Sequence, residues 1–148
     1  MTAQLPEAEI VRQFQSCIHC SQVVVAQYAE AFGYNREKCM HMAAPFAGGC
    51  FQGNTCGAVS GAMMVLGMAC GFSKPWSLEE NHQLRELTAA FQEGFSSRCG
   101  SLICRELTGF DFSKPGEYEQ ALEANVLFQR CPRYVNTALA LLAELLEG

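Results

Sequence analysis

The stretch Cys56-Gly-Ala-Val-Ser-Gly61-Ala-Met-Met-Val-Leu-Gly67-Met-Ala-Cys-Gly71 decides the fold. It carries no charge, no proline and no apolar–polar alternation, so its apolar side chains surround a helix and do not line one face of a strand. Gly57 and Gly61 stand four residues apart, on one helical face. Each glycine costs up to about 1 kcal/mol of helix propensity against alanine. A helix that accepts both needs a neighbouring backbone close against that face. We therefore expect a buried central helix, tightly packed along its glycines. Met63, Met64 and Met68 read as core residues that fill gaps, not as ligands.

Working outward, the uncharged run extends from Ala43 to Ser73. Pro45 and the Gly48-Gly49 pair break its first part, and the helical remainder falls short of the roughly 20 residues that span a bilayer. No membrane insertion is expected. On the N-terminal side, Pro6 suits the first turn of a helix from Glu7 to about Gln15. A second helix runs from about Ile18 to Phe32 and stops at Gly33, and Asn35 caps a third, Arg36 to Ala44. On the C-terminal side, Ser77-Leu-Glu-Glu80 reads as a capping box opening a helix to about Ser97. Ser101 caps a short helix through Leu107 that Gly109 closes, and Glu117 to about Gln129 gives another. Pro132 starts the last helix, in which Leu139, Leu141, Leu142, Leu145 and Leu146 form a broad apolar face. No strand-like alternation, internal repeat or interdomain linker interrupts this pattern. The expected fold is all-α, one compact domain over residues 1–148 with about seven or eight helices around the glycine-rich central one.

The 148 residues are 49% hydrophobic and 17% charged, which provides the apolar surface needed to offset the ordering entropy of a folded chain. A net charge of −5 without any lysine–arginine run argues against nucleic-acid binding. The N-terminal stretch Met1 to Ile10 has neither the basic nor the apolar region of a secretory signal. A cytoplasmic, reducing setting is the expectation, one in which cysteines serve metals or redox chemistry and not permanent crosslinks.

There are nine cysteines, and several fall at helix starts. Cys17 and Cys20 precede or open the second helix, Cys56 opens the central one, Cys104 lies in the first turn of the short helix, and Cys131 takes an N-cap position before Pro132. Free amides and the helix dipole there favour a thiolate, so depressed thiol pKa values are expected. Arg105 beside Cys104 acts in the same sense. Cys39 and Cys70, inside helical patterns, read as small buried hydrophobes, and Cys50 and Cys99 have no assignment. Cys17-Ile-His-Cys20 is a C-x-x-C pair that suits a dithiol couple or half a metal site. No βαβ pattern supports a thioredoxin, Ser21 stands where haem attachment needs histidine, and no second C-x-x-C completes a zinc finger. His19 and His41, each alone, read as ordinary surface or core residues. Phosphate-loop, H-E-x-x-H and G-x-S-x-G motifs are absent from the sequence.

The ordered set of His19-Cys20-Ser-Gln22, the glycine-containing loop, Cys56-Gly-Ala-Val-Ser-Gly61, Cys104-Arg-Glu-Leu107 and Cys131 resembles the C_GCAxxG_C_C family. That family is described as redox-active and is marked by four cysteines and a C-G-A-x-x-G motif. The resemblance runs from about Ser16 to Ala138. It implies Cys20, Cys56, Cys104 and Cys131 as the redox thiols, with Gly57 and Gly61 on the side of any cofactor. Cys17 and Cys50 are extra thiols near the four, either able to resolve a disulfide or replace a ligand. A related arrangement in split-Soret cytochromes, which carry haem and an iron–sulfur centre, keeps an iron–sulfur site in view without implying covalent haem. Three readings follow. The four thiolates bind an iron–sulfur cluster or zinc, which would neutralise them. Alternatively, Cys20 or Cys56 attacks in thiol–disulfide exchange. As a third reading, the chain is a non-catalytic interaction domain, dimerising through the glycine face or the last helix. Redox or metal function leads, with a lean to a bound metal or cluster; the redox partner is not legible.

Overall fold

Left-handed residues punctuate this chain between helices: Gly33, Gly100, Gly109, Gly116 and Asn125, but also Cys17 and Trp76. The computed structural model describes residues 4–147. Its helices are α1 (Glu7–Gln15), α2 (Cys20–Tyr28), α3 (Arg36–Ala43), α4 (Gly57–Cys70), α5 (Leu78–Cys99), α6 (Cys104–Thr108), α7 (Glu117–Glu123), the single turn α8 (Val126–Gln129) and α9 (Cys131–Glu147). Short 3-10 turns cover Glu30–Phe32 and Ala44–Phe46. The fold is all-α. Among the described residues the sole extended pairing is one antiparallel bridge, Thr55 with Ile103.

Helix α4 is the centre, packed on α2, α5 and α9. Its glycine face behaves as its sequence requires: a β-carbon on Gly61 would stand 2.8 Å from the Ser21 carbonyl oxygen, so the α2 backbone occupies the space a side chain would take. Around it the core gathers Val23, Val24 and Tyr28 of α2, Phe91 and Phe95 of α5, and Val135, Leu139 and Leu142 of α9. Met63, Met64 and Met68 pack against this core from partly buried positions. Among the described residues no helix is long and apolar enough to cross a membrane.

Several boundaries depart from expectation. Helix α2 ends at Tyr28, and the chain tightens into a 3-10 turn before Gly33 stops it at φ 82°. Asn35 does cap α3, accepting from Lys38 N–H at 2.8 Å. No capping box forms at α5: Trp76 takes a left-handed φ of 68°, and the Ser77 hydroxyl turns back to donate to the Lys74 carbonyl at 2.8 Å. Ser101 is not the cap of α6 either. Ile103 holds that position, while Ser101 Oγ accepts from Ile103 N–H at 3.0 Å and donates to Glu106 at 2.7 Å. The expected helix Glu117–Gln129 is split because Asn125 sits at φ 58°, a conformation asparagine tolerates. Arg130 keeps helical backbone angles, so Cys131 is the first residue of α9 and not its extended cap. Of the N-terminal stretch read for a leader, residues 1–3 lie outside the described residues, as does Gly148.

Candidate functional site

Four helix starts meet at one place, and local chemistry explains each approach. Cys20 is the first residue of α2, Cys56 the N-cap of α4, Cys104 the first residue of α6 and Cys131 the first of α9. Cys56 and Cys104 are joined through the bridge at Thr55 and Ile103. Cys56 N–H donates to the Leu102 carbonyl at 2.8 Å, and Cys104 N–H to the Asn54 carbonyl at 2.6 Å. Cys20 reaches them because α2 crosses the glycine face of α4, where its sulfur touches Gly57. Cys131 is tied in from the other side. Tyr134, three residues later, donates its hydroxyl to the Leu107 carbonyl at 2.9 Å, and Arg130 donates to the Thr108 carbonyl at 3.3 Å.

The loop before α4 completes the site. Gly48, Gly49, Cys50 and Phe51 all have φ between 55° and 62°, a left-handed turn of four residues. Glycine enters that region freely, whereas the two residues after it do not. Arg105 does not turn toward Cys104; its guanidinium donates to the Gly53 carbonyl at 3.3 Å and Asn54 Oδ1 at 3.4 Å, clamping the end of this turn.

The four sulfurs border one cavity of about 110 Å³, which Cys17 also lines. Cys56 and Cys104 are buried at 7% and 6% exposure and form its floor, while Cys17, Phe51 and Leu122 are exposed at its rim. Burial pushes the thiols of Cys20, Cys56, Cys104 and Cys131 up. Cys104 reaches about 12, Cys56 lies well above the ordinary range, and Cys131 is raised as well. Mutual repulsion adds to this: the charges of Cys20, Cys131 and Cys104 all act on Cys56. Backbone N–H groups of Gly48 and Gly57 pull Cys20 the other way without reversing the sign. The depressed values expected from helix-start placement are therefore not found, because desolvation of a thiolate outweighs the amides and dipoles around it.

The family described as "Putative redox-active protein (C_GCAxxG_C_C)" matches residues 18–145. The chain belongs to the C_GCAxxG_C_C family. Neither a curated protein nor a solved structure matches it. In this family member the cysteines outside the four take distinct places. Cys39 is buried as expected, whereas Cys70 is half-buried because α4 is leaving the core at its last residue. Cys50 is exposed on the left-handed turn, and Cys99 is half-buried at the end of α5. Cys17, with a left-handed φ of 64°, is exposed, while Cys20 lies deeper.

Among the described residues no three Cys, His, Asp or Glu side chains stand in an arrangement that could hold a metal ion. Sequence reading missed the aromatic wall of the cavity, where Phe112 packs edge-on against Tyr118 at 5.3 Å and Phe51 against His19 at 5.6 Å. It also missed Thr108, whose hydroxyl donates to the Cys104 carbonyl at 2.8 Å and holds α6 closed. No spacing or motif in the sequence marks these residues.

Proposed function

We propose that this redox-active family member holds an iron–sulfur cluster on Cys20, Cys56, Cys104 and Cys131. The observation that carries this reading is the convergence of four thiols from four helix starts on one apolar cavity. Four thiolates there would repel one another, and a cationic group is their natural neutraliser. The donor chemistry suits iron or zinc alike. Structural zinc favours ligands in closely spaced pairs, whereas these four come singly from four separate helix starts, and a cluster distributes its cysteines over several irons.

When bound, such a cluster supplies a reversible electron-transfer couple. The rest is work for this chain's own residues. Gly57 and Gly61 let α2 approach α4, the amides of Gly48 and Gly57 act on the Cys20 sulfur, and N–H groups at ligand sulfurs tune potentials. The raised thiol pKa values mean that ligation releases protons and strengthens as pH rises. Native mass and iron and sulfide analysis of protein prepared without oxygen test the reading. Iron and sulfide in fixed ratio to the chain, lost in Cys56→Ser, are expected; a bare chain mass overturns it.

A second reading, thiol–disulfide exchange, is favoured by one observation: Cys17 stands exposed at the rim of the cavity that Cys20 borders. It predicts a chain two hydrogens lighter after oxidised glutathione, with Cys17 in the bond as the resolving thiol.

A further inference from the structure

We infer that two copies of this chain pair through the α4–α5 hairpin, the turn at Trp76 of each seated in an apolar groove of the other. The interface stands apart from the cluster reading, because the groove shares no lining residue with the thiol cavity. It also differs from the Gly57–Gly61 face, which α2 already covers. The turn comes first. Between α4 and α5 the chain presents Phe72, Trp76 and Leu78 at 41%, 91% and 75% exposure. Trp76 is the single tryptophan of the sequence. It holds a φ of 68°, a conformation that costs a bulky residue on the order of 1–3 kcal/mol. The turn is fixed in this form: the Ser77 hydroxyl donates to the Lys74 carbonyl at 2.8 Å, and Leu78 N–H to the Trp76 carbonyl at 3.0 Å. An indole this exposed has little contact within its own copy to offset that strain.

The groove suits that side chain in size and chemistry. It is open, about 550 Å³ in volume, and forms where Ser60, Met63 and Met64 of α4 meet Gln92 of α5 and Ile103. Pockets of that scale hold drug-sized molecules, and so an indole with a leucine beside it. No Asp, Glu, Lys or Arg side chain lines the groove. The thioethers of Met63 and Met64 are favoured neighbours of an aromatic ring. Gln92 is lightly held, its Nε2 standing 3.7 Å from Met63 Sδ. Among the described residues its carbonyl oxygen accepts no hydrogen bond, and it can take the indole N–H, the one polar group Trp76 brings.

A second copy is the occupant that uses turn and groove together. Ser60, Met63, Met64, Gly67 and Cys70 fall in one half-buried stripe of α4 that leads from the groove toward the turn, with no charge along it. A two-fold pairing places each turn in the other copy's groove, so both contacts form at once. Area supports this. With about 150–250 Å² from a buried aromatic, the turn and the walls it covers, taken twice, come to about 1,000 Å², the size a specific interface needs. One such contact, made to an unrelated partner, would reach about half of that.

Native mass and tryptophan emission, followed over a concentration series of the chain as purified without oxygen, test this. The expected result is a dimer forming on the order of micromolar concentration, with the emission of Trp76 moving to shorter wavelength as it forms. Trp76→Ala removes the turn's anchor, and Ser60→Glu puts an unpaired charge in the groove. Each is expected to leave a monomer where the wild-type chain is a dimer. Gln92→Glu serves should Ser60→Glu not fold. Tyr34→Ala, at an exposed aromatic outside both turn and groove, keeps the dimer. Mixing the two variants is decisive. Trp76→Ala keeps its groove and has no tryptophan, while Ser60→Glu keeps its turn, so one intact contact forms between them. Adding the first to the second should shift the Trp76 emission saturably and give a heterodimer, weaker than the wild-type dimer. A chain monomeric at every concentration, a dimer that survives Trp76→Ala, a ladder of larger oligomers, or variants that fail to pair when mixed overturns the inference. Iron and sulfide measured on the same samples report on the cluster alone, and their absence leaves the dimer test intact.

Discussion

Gly57 and the sulfur of Cys20 are in contact with no room for a β-carbon between them. The glycine is thus a condition for placing a thiol as well as for packing two helices. Gly57→Ala is expected to destabilise the chain by about 1–3 kcal/mol through overpacking and to displace Cys20 from the other three cysteines. Gly61→Ala meets the Ser21 carbonyl at 2.8 Å and should cost a similar amount while leaving Cys20 nearer its place. Gly67 lies in the same helix with nothing within 4 Å. Gly67→Ala should therefore stabilise by up to about 1 kcal/mol, the helix-propensity difference alone. Urea midpoints and iron content of the three variants check the order; a destabilising Gly67→Ala would contradict it.

The buried thiols set a pH dependence. Each has a folded pKa above the ordinary thiol value of 9.0, Cys104 reaching about 12. The unfolded chain therefore gives up its thiol protons first as pH rises. The stability of the metal-free protein is full below the unfolded value and falls between pH 9 and about 12, by about 1.4 kcal/mol for each tenfold difference in proton affinity. Denaturant midpoints across that range should decline in the wild-type chain and decline less in Cys104→Ala. A flat profile would mean that the thiols are not desolvated.

Thiol reactivity should follow exposure. Cys17 and Cys50 are exposed, whereas Cys39, Cys56 and Cys104 are buried. With iodoacetamide at neutral pH on the metal-free chain, the first two should be alkylated at least about tenfold faster than the others, since attack needs an accessible thiolate. Peptide mass analysis over time reads this directly. Rapid labelling of Cys56 or Cys104 would contradict the desolvated floor and favour the exchange reading.

These expectations mark what the sequence could and could not carry. The uncharged, glycine-spaced run at Cys56–Gly71 was enough to place a buried central helix, because propensity and hydropathy are local properties. That four cysteines sit at helix starts was equally legible. The sign of their pKa shifts was not, since helix-start amides are visible in sequence and desolvation depends on what folds over the thiol. The bridge between Thr55 and Ile103 brings Cys56 beside Cys104 across 47 intervening positions, and no periodicity announces a pairing that short. The left-handed turn at Gly48–Phe51 was half visible, in its glycines, while Cys50 and Phe51 hold left-handed angles only because the surrounding structure holds them there.

Tyr134 offers a test of how the last cysteine is held. Its hydroxyl donates to the Leu107 carbonyl at 2.9 Å, joining the first turn of α9, which begins at Cys131, to α6, which begins at Cys104. Tyr134→Phe removes one hydrogen bond and leaves a buried carbonyl without this donor, a loss of about 1–3 kcal/mol. If that bond only adds stability, iron retention should follow the midpoint and improve in step with it in a stabilised background such as one carrying Gly67→Ala. If instead it sets the distance between Cys131 and Cys104, the double variant should recover up to about 1 kcal/mol of the lost stability and still lose iron as fast in air as Tyr134→Phe alone. The second outcome is expected, because among the described residues the one other hydrogen bond between these helix ends is from Arg130, at a longer 3.3 Å to the Thr108 carbonyl. Iron release followed by absorbance, in the single and double variants, distinguishes the two.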